Sequence, residues 1–161
     1  MRTAIRSNFL FCTGDPGLSG VAAASTVDFI PDGMLLMEAG VITALQPAAT
    51  LLPQLGSDIP ITDFSDHLVV PGFVDTHVHF PQVDVIASYG TQLLEWLQQY
   101  TFPEEQKFHQ YEHAAQSARF FLDQLLGNGT TTASVFCTVH LQSVDAFFTE
   151  AQKRSLEMKI G

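Results

Sequence analysis

The pattern of apolar and polar positions up to about residue 67 is typical of strands and loops. Short apolar runs alternate there with Gly, Pro and Asp. A turn-prone Pro31-Asp32-Gly33 precedes one apolar run, and Glu38-Ala39-Gly40 separates that run from the next. This arrangement predicts a β-hairpin with Gly40 at its tight position. We expect an irregular loop over residues 10–25 and no regular structure over residues 47–60, where prolines recur.

From residue 68 onward, strand-like and helix-like patterns alternate. The pattern predicts strands at 68–74, 130–136 and 156–160, and helices at 91–100, 103–126 and 142–154. Gly127-Asn128-Gly129 is suited to a left-handed cap after the second helix. Alternation of this kind predicts parallel βα units. A complete (β/α)8 barrel takes about 250 residues, so we expect the N-terminal portion of a larger α/β fold.

Composition and charge narrow the possible partners. The chain has 161 residues, of which 46% are hydrophobic and 15% are charged, so it can form a core and is not a disordered chain. Its formal net charge is −10. A negative field repels phosphate, which makes nucleic acid and anionic membranes poor partners. Small neutral molecules, cations or other subunits are the expected partners.

Cysteine usage and the absence of long apolar runs indicate the compartment. Cys12 and Cys137 lie far apart, and two cysteines do not make the disulfide framework of a small secreted protein. The apolar run near the N-terminus is too short for a signal peptide, and no run approaches the ~18 residues that a membrane span needs. We therefore expect free thiols and a cytoplasmic protein.

The motif that carries chemistry is His77-Val78-His79. Residues i and i+2 of a strand point to the same face, so both imidazoles can bind one metal ion. Two histidines at this spacing also occur by chance, but these follow an apolar strand at its C-terminal end, where barrel enzymes place catalytic residues. Neutral imidazoles suit Zn²⁺ or Fe²⁺. Such an ion makes bound water nucleophilic at neutral pH.

Catalytic zinc usually has at least three protein ligands, so a third ligand is needed beside His77 and His79. The sequence does not identify it, because every other candidate residue can also be explained by a structural role. His109 and His113 have helical i,i+4 spacing in a charged segment, and His67 precedes a strand. His140 follows the second predicted strand of the barrel portion and could face its mouth. Asp75 could face the same way as His77, or could instead support a metal ligand or cap a helix.

Several other reaction types are excluded by missing motifs. The sequence has no HxE with PCxxC, which excludes the cytidine type of zinc deaminase. It also has no GxSxG nucleophile elbow and no glycine-rich phosphate loop ending in Gly-Lys-Ser/Thr.

Four longer segments make the sequence similar to a known family. VVPGFVDTHVHFPQ resembles the first barrel strand of the amidohydrolase superfamily, whose metal-binding signature is PGxxDxHxH, and DGMLLMEAGVITAL resembles its N-terminal β-segment. LLEWLQQYTFPEEQKF and LLGNGTTTASVFCTVH resemble the guanine deaminases more specifically. The resemblance implies a metal-dependent (β/α)8 TIM-barrel fold. Residues 1–67 would be a small β-rich segment, part of the superfamily's β-sandwich domain, and residues 68–161 the first βα units of an incomplete barrel.

The resemblance also implies roles for individual residues. His77 and His79 would be the first two metal ligands, of one Zn²⁺ per subunit or of Fe²⁺. Gln82, His79 and Trp96 would contact the substrate. The remaining ligands and the proton-shuttling glutamate of the family have no counterpart here, so no catalytic residue is assigned within the chain.

The implied reaction is hydrolytic deamination of guanine to xanthine and ammonia, by a homodimer when full length. Two alternatives remain open at this point. The chain could belong to another zinc amidohydrolase that acts on a cyclic amidine or amide, or it could be a catalytically silent remnant.

Overall fold

The computed structural model describes residues 1–15, 17, 26–90 and 92–160. Contacts divide the chain into two units, Met1–Pro71 and Gly72–Gly161. No described helix is both long enough and apolar enough to cross a membrane.

The N-terminal unit is a four-stranded mixed sheet with one short helix. Strand order is β3-β2-β1-β4, in which β1 runs antiparallel to β2 and parallel to β4, and β2 runs antiparallel to β3. The elements are β1 (Arg2–Cys12), β2 (Val27–Glu38), β3 (Val41–Pro47), α1 (Ala48–Leu51) and β4 (Ile61–Val69).

The predicted hairpin is confirmed. Glu38 pairs with Val41, and the two residues between them have positive φ, 51° at Ala39 and 82° at Gly40. A two-residue turn of this kind matches the twist of the flanking strands. Gly40 therefore occupies the tight position.

Three other expectations for this unit need correction. Pro31-Asp32-Gly33 does not end a strand, because β2 continues through it beside an irregularity in β1. The segment 47–60 contains α1 and a 3₁₀ turn, Leu52–Gln54. The predicted loop over 10–25 begins later, since β1 runs to Cys12; residues 16 and 18–25 lie outside the described residues.

The predicted strand 68–74 is wrong as a single element. Leu68 and Val69 end β4 and pair with Asn8 and Phe9 of β1, whereas a new strand begins at Phe73. Pro71 lacks a backbone N–H, which favours such a break. The two units consequently divide after Pro71, whereas the sequence pattern predicts a division at residue 67.

The C-terminal unit is a three-stranded parallel sheet with helical connections, as predicted. Strand order is β5-β6-β7, and both neighbouring pairs are parallel. The described residues of this unit form an open sheet and not a closed barrel. Its elements are β5 (Phe73–His79), α2 (Leu93–Trp96), α3 (Phe102–Gln106), α4 (Tyr111–Gly127), β6 (Thr130–Phe136), α5 (Leu141–Lys153) and β7 (Glu157–Ile160).

An aromatic core holds this unit together. Helix α4 buries Ala114, Ala115, Ala118, Phe121 and Leu122 and packs with α5 over β6. Phe80, Phe108 and Phe147 are completely buried, and the Phe80 ring contacts the other two, with centroids 5.3 Å from Phe108 and 5.0 Å from Phe147. Gly129, with φ of 84°, provides the predicted left-handed conformation after α4.

The helices predicted at 91–100 and 103–126 are both interrupted, the second by the 3₁₀ turn Lys107–His109 between α3 and α4. α2 is only four residues long and continues as a π-helix, Leu97–Thr101, before α3. Leu93 and Leu94, two apolar residues of α2, are 69% and 72% exposed.

Candidate metal centre

Strand β5 positions the two imidazoles of the HxH motif. His77 and His79 are alternate residues near its C-terminal end, so both side chains lie on the same face of the strand. Phe80 follows directly and is fully buried in the aromatic core. The core thereby anchors the chain immediately after His79 and fixes where β5 ends.

The two ring nitrogens lie at a separation that suits shared metal binding. Nε2 of His77 is 3.3 Å from Nε2 of His79. Two ligand nitrogens of one tetrahedral zinc, each about 2.0–2.1 Å from the ion, lie about 3.3–3.4 Å apart. His77 is exposed and His79 is partly buried, so the pair is accessible. The donor set therefore fits a zinc-type ion.

Phe136, the last residue of β6, packs against both imidazoles. It pairs with His79 across the parallel strands, and its ring centroid lies 4.8 Å from that of His79 in a stacked arrangement and 4.6 Å from that of His77. Burial lowers the pKa of His79, and the neighbouring His77 lowers it further, while Glu105 opposes the shift. The shift favours neutral imidazole, which is the form that binds metal.

Gln82 connects His79 to a carboxylate. It lies in the 3₁₀ turn Phe80–Val85, three residues beyond His79. Its Nε2 is 3.4 Å from Nδ1 of His79 and donates to Oε1 of Glu105, also at 3.4 Å. Glu105 comes from α3 and could not be found from the local sequence pattern, because the contact joins elements far apart in the chain.

A cavity of about 690 Å³ opens beside these residues. His77, His79, Gln82 and Trp96 all line it. Trp96 packs against the backbone of Gly90, where an added Cβ would lie 2.7 Å from its ring. The volume is that of a typical small-molecule site. The rest of the wall is largely apolar, with side chains that include Val83, Phe120, Phe121 and Leu125.

The remaining predicted candidates do not join the pair. Among the residues that the structure describes, no third histidine, cysteine or carboxylate forms a ligand group with His77 and His79. Asp75 accepts a hydrogen bond from the backbone N–H of His77 at 3.0 Å, inside strand β5, so it does not cap a helix. His140 lies beside His109, with ring centroids 6.0 Å apart.

The other two histidine candidates are also placed elsewhere. His67 contacts Asp66 within the N-terminal unit. The i,i+4 spacing of His109 and His113 is compatible with a shared metal ion, but the structure does not bring the two side chains together as ligands. His113 faces Glu104 and Asp84 instead.

Comparisons with known proteins agree with this fold and these residues. The chain is 46% identical to "Guanine deaminase" of Escherichia coli (strain K12) over 138 residues, which cover 86% of this chain and 31% of that protein. The solved structure of E. coli guanine deaminase matches with a TM-score of 0.92 at 42% identity, over 99% of this chain and 37% of that one. Guanine deaminase from C. acetobutylicum, solved with bound guanine in its active site, matches with a TM-score of 0.80 at 25% identity, over 100% and 36%.

These matches confirm the predicted fold class, the N-terminal part of a TIM-barrel amidohydrolase. The chain spans about a third of the length of the curated relatives it matches. Residues 68–161, more than half of the chain, match the amidohydrolase family, whose members are typically metal-dependent. The chain therefore belongs to the amidohydrolase family.

Proposed function

We propose that the chain forms the N-terminal part of a guanine deaminase, which converts guanine to xanthine and ammonia. Residues 1–67 then belong to its β-rich domain and residues 68–161 to the first βα units of its catalytic barrel. One observation carries the proposal. The HxH pair, Gln82 and Trp96 line a single cavity in a chain that is 46% identical to an E. coli guanine deaminase.

His77 and His79 would hold one zinc ion through the two nitrogens that lie 3.3 Å apart. When bound, zinc supplies the Lewis acidity that makes water a nucleophile at neutral pH. The lowered pKa of His79 keeps its imidazole neutral and ready to bind. Phe136, packed on both rings, holds them in place.

Gln82, His79 and Trp96 would bind the purine. The side-chain amide of Gln82 carries both a donor and an acceptor, and a purine edge presents both. The Glu105 carboxylate accepts from Nε2 of Gln82 and so orients that amide. Trp96 supplies an aromatic wall. Proton transfer is assigned to no residue of this chain, and a homodimer in the cytoplasm remains the expected state of the full-length enzyme.

A chimera tests the proposal. The 161 residues replace the matching N-terminal part of E. coli guanine deaminase, and formation of the hydrolysis product is measured for guanine, adenine, a triazine and a cyclic amide. We expect turnover of guanine well above the other substrates, because a site built to hydrogen-bond one substrate strongly rejects analogues that lack the partner group. Preference for another member of the panel would instead favour a different amidohydrolase. A folded chimera inactive on every substrate would favour the silent remnant.

A further inference from the structure

A second cluster of metal-binding side chains lies outside the cavity of the HxH pair. Asp84 comes from the 3₁₀ turn after β5, Glu104 from α3 and His113 from the first turn of α4. One ligand atom from each lies within 4.8 Å of the others. Asp84 and His113 also line a separate cavity of about 310 Å³. Three elements thus bring two carboxylates and an imidazole to one point.

Two atoms of this cluster are buried without a hydrogen-bond partner. They are Oε1 of Glu104 and Nε2 of His113. Glu104 is only 8% exposed, and the two atoms face each other at 3.6 Å. Native structures pair nearly all buried polar atoms, and an orphaned one indicates a missing ion or water.

The known charges around Glu104 do not satisfy these atoms. Lys107 lies 2.5 Å from the other carboxylate oxygen, Oε2, so it leaves Oε1 free. A proton on His113 would supply charge, but 3.6 Å is too long for an N–H···O hydrogen bond. An ion between the two atoms would contact both at once.

We propose that Asp84, Glu104 and His113 form a binding site for a divalent transition-metal ion, with zinc as the representative ion. The 3.6 Å between the nitrogen and the oxygen is close to the roughly 3.4 Å expected between two ligands of one tetrahedral zinc. Imidazole and carboxylate are both ligands that zinc accepts. Asp84 is exposed, so its carboxylate can move to become the third protein ligand. The exposure also allows an ion to reach the site from solvent.

The site has a structural role that follows from its position. Asp84 is two residues beyond Gln82, and Glu104 is adjacent to Glu105. An ion shared by Asp84 and Glu104 links the turn to α3, and these two elements also carry the Gln82–Glu105 contact. The ion therefore stabilises the wall of the larger cavity and takes no part in chemistry there.

Zinc titration of the chain, followed by competition with a chromophoric chelator, tests the site. The double variant His77→Ala/His79→Ala removes the first pair of ligands, so any remaining binding reports on the second cluster. We expect this variant to keep one zinc per chain. Adding His113→Gln or Asp84→Asn should weaken that binding about tenfold or more, since each removes a ligand.

His109→Gln is the matched control, because it removes an exposed histidine four positions before His113. It should leave zinc binding unchanged in the double variant. Fluorescence of Trp96 checks folding in every variant, and Asp84→Asn, at an exposed position, keeps the test decisive if His113→Gln fails to fold. Loss of all zinc binding in His77→Ala/His79→Ala would overturn the site and leave water or a proton between Glu104 and His113. Equal weakening by His109→Gln and His113→Gln would also overturn it.

Discussion

Both units of the chain are built on β-sheets, but different interactions dominate in each. The buried cluster of the N-terminal unit consists of Ala4, Met34, Ala48 and Leu51, of which Met34 is the largest. The C-terminal unit buries four phenylalanines, Phe80, Phe108, Phe121 and Phe147, against two long helices. Strand pairing and tight turns therefore contribute more to the first unit, and burial of aromatic side chains contributes more to the second.

The difference also explains where the chemistry lies. Parallel strands bring their C-terminal ends to the same edge of a sheet, which is how His79 of β5 comes to lie opposite Phe136 of β6. Within the described residues of the first unit, the parallel pair β1–β4 carries one histidine, His67, which contacts Asp66. Variants that affect one kind of interaction should consequently act on one unit more than on the other.

The largest expected effect is on the aromatic core. Phe147→Ala removes a completely buried ring and should lower the free energy of unfolding by about 3–5 kcal/mol. Phe148→Ala, one residue further along α5 and 43% exposed, should cost about 1 kcal/mol or less. Urea unfolding followed by Trp96, the single tryptophan, measures both in the C-terminal unit. Equal losses would mean that this core is not packed as described.

A buried carboxylate in the same unit should give a smaller and pH-dependent effect. Glu150 is 3% exposed and accepts hydrogen bonds from Lys153 at 2.8 Å and from Arg119 and Arg154 at 3.2 Å. The bond from Lys153 is the main cause that lowers the pKa of Glu150. Glu150→Gln should cost about 2 kcal/mol at neutral pH, because it removes charge-assisted hydrogen bonds.

The sign of the pH dependence follows from that lowered pKa. The ionised carboxylate stabilises the folded state above its unfolded pKa, and this contribution is lost as pH falls towards the lower, folded value. The difference in unfolding free energy between the native chain and Glu150→Gln should therefore shrink at acid pH. Glu112→Gln, at an exposed position of α4, is the control and should change little. A difference that stays constant with pH would argue against the ion cluster.

The smallest effect should come from the hairpin of the first unit. Gly40→Ala places a side chain at φ of 82° with open space around it, so the cost is backbone strain alone, about 1 kcal/mol. Gly127→Ala, at the end of α4, also meets open space but has no positive φ, and it should be neutral or stabilising. The rate of hydrogen exchange at the backbone amides of β2 and β3 should rise in Gly40→Ala and stay unchanged in Gly127→Ala. Faster exchange there in both variants would contradict the turn.

The sequence predicted features that depend on residues close together in the chain. The hairpin at Gly40, the cap at Gly129, strand 130–136 and the βα order follow from local turn chemistry and periodicity. The HxH motif predicted that both imidazoles lie on one side of β5, because alternate residues of a strand share a face. Leu93 and Leu94 show that periodicity indicates an apolar side of a helix but not whether that side is covered.

Other features depend on distant residues and could not be predicted. Leu68 and Val69 pair with a strand some sixty positions earlier, so no local pattern separates them from β5. Phe136 and Glu105 reach the site from β6 and α3, and the resemblance of the segments that contain them assigned neither residue a role. Asp84, Glu104 and His113 meet only once three elements are packed.

The most direct test of the central claim is to replace Gln82 in the chimera with E. coli guanine deaminase and to measure zinc content together with kcat/KM for guanine. Gln82→Ala should keep the zinc, since it supplies no ligand, and should lower kcat/KM roughly ten- to a hundredfold, which corresponds to about 1–3 kcal/mol. His77→Ala should lose the zinc of the pair and the activity together. Gln124→Ala, another glutamine lining the same cavity, should change neither. Full kcat/KM for guanine in Gln82→Ala would contradict the assignment of this cavity to the purine.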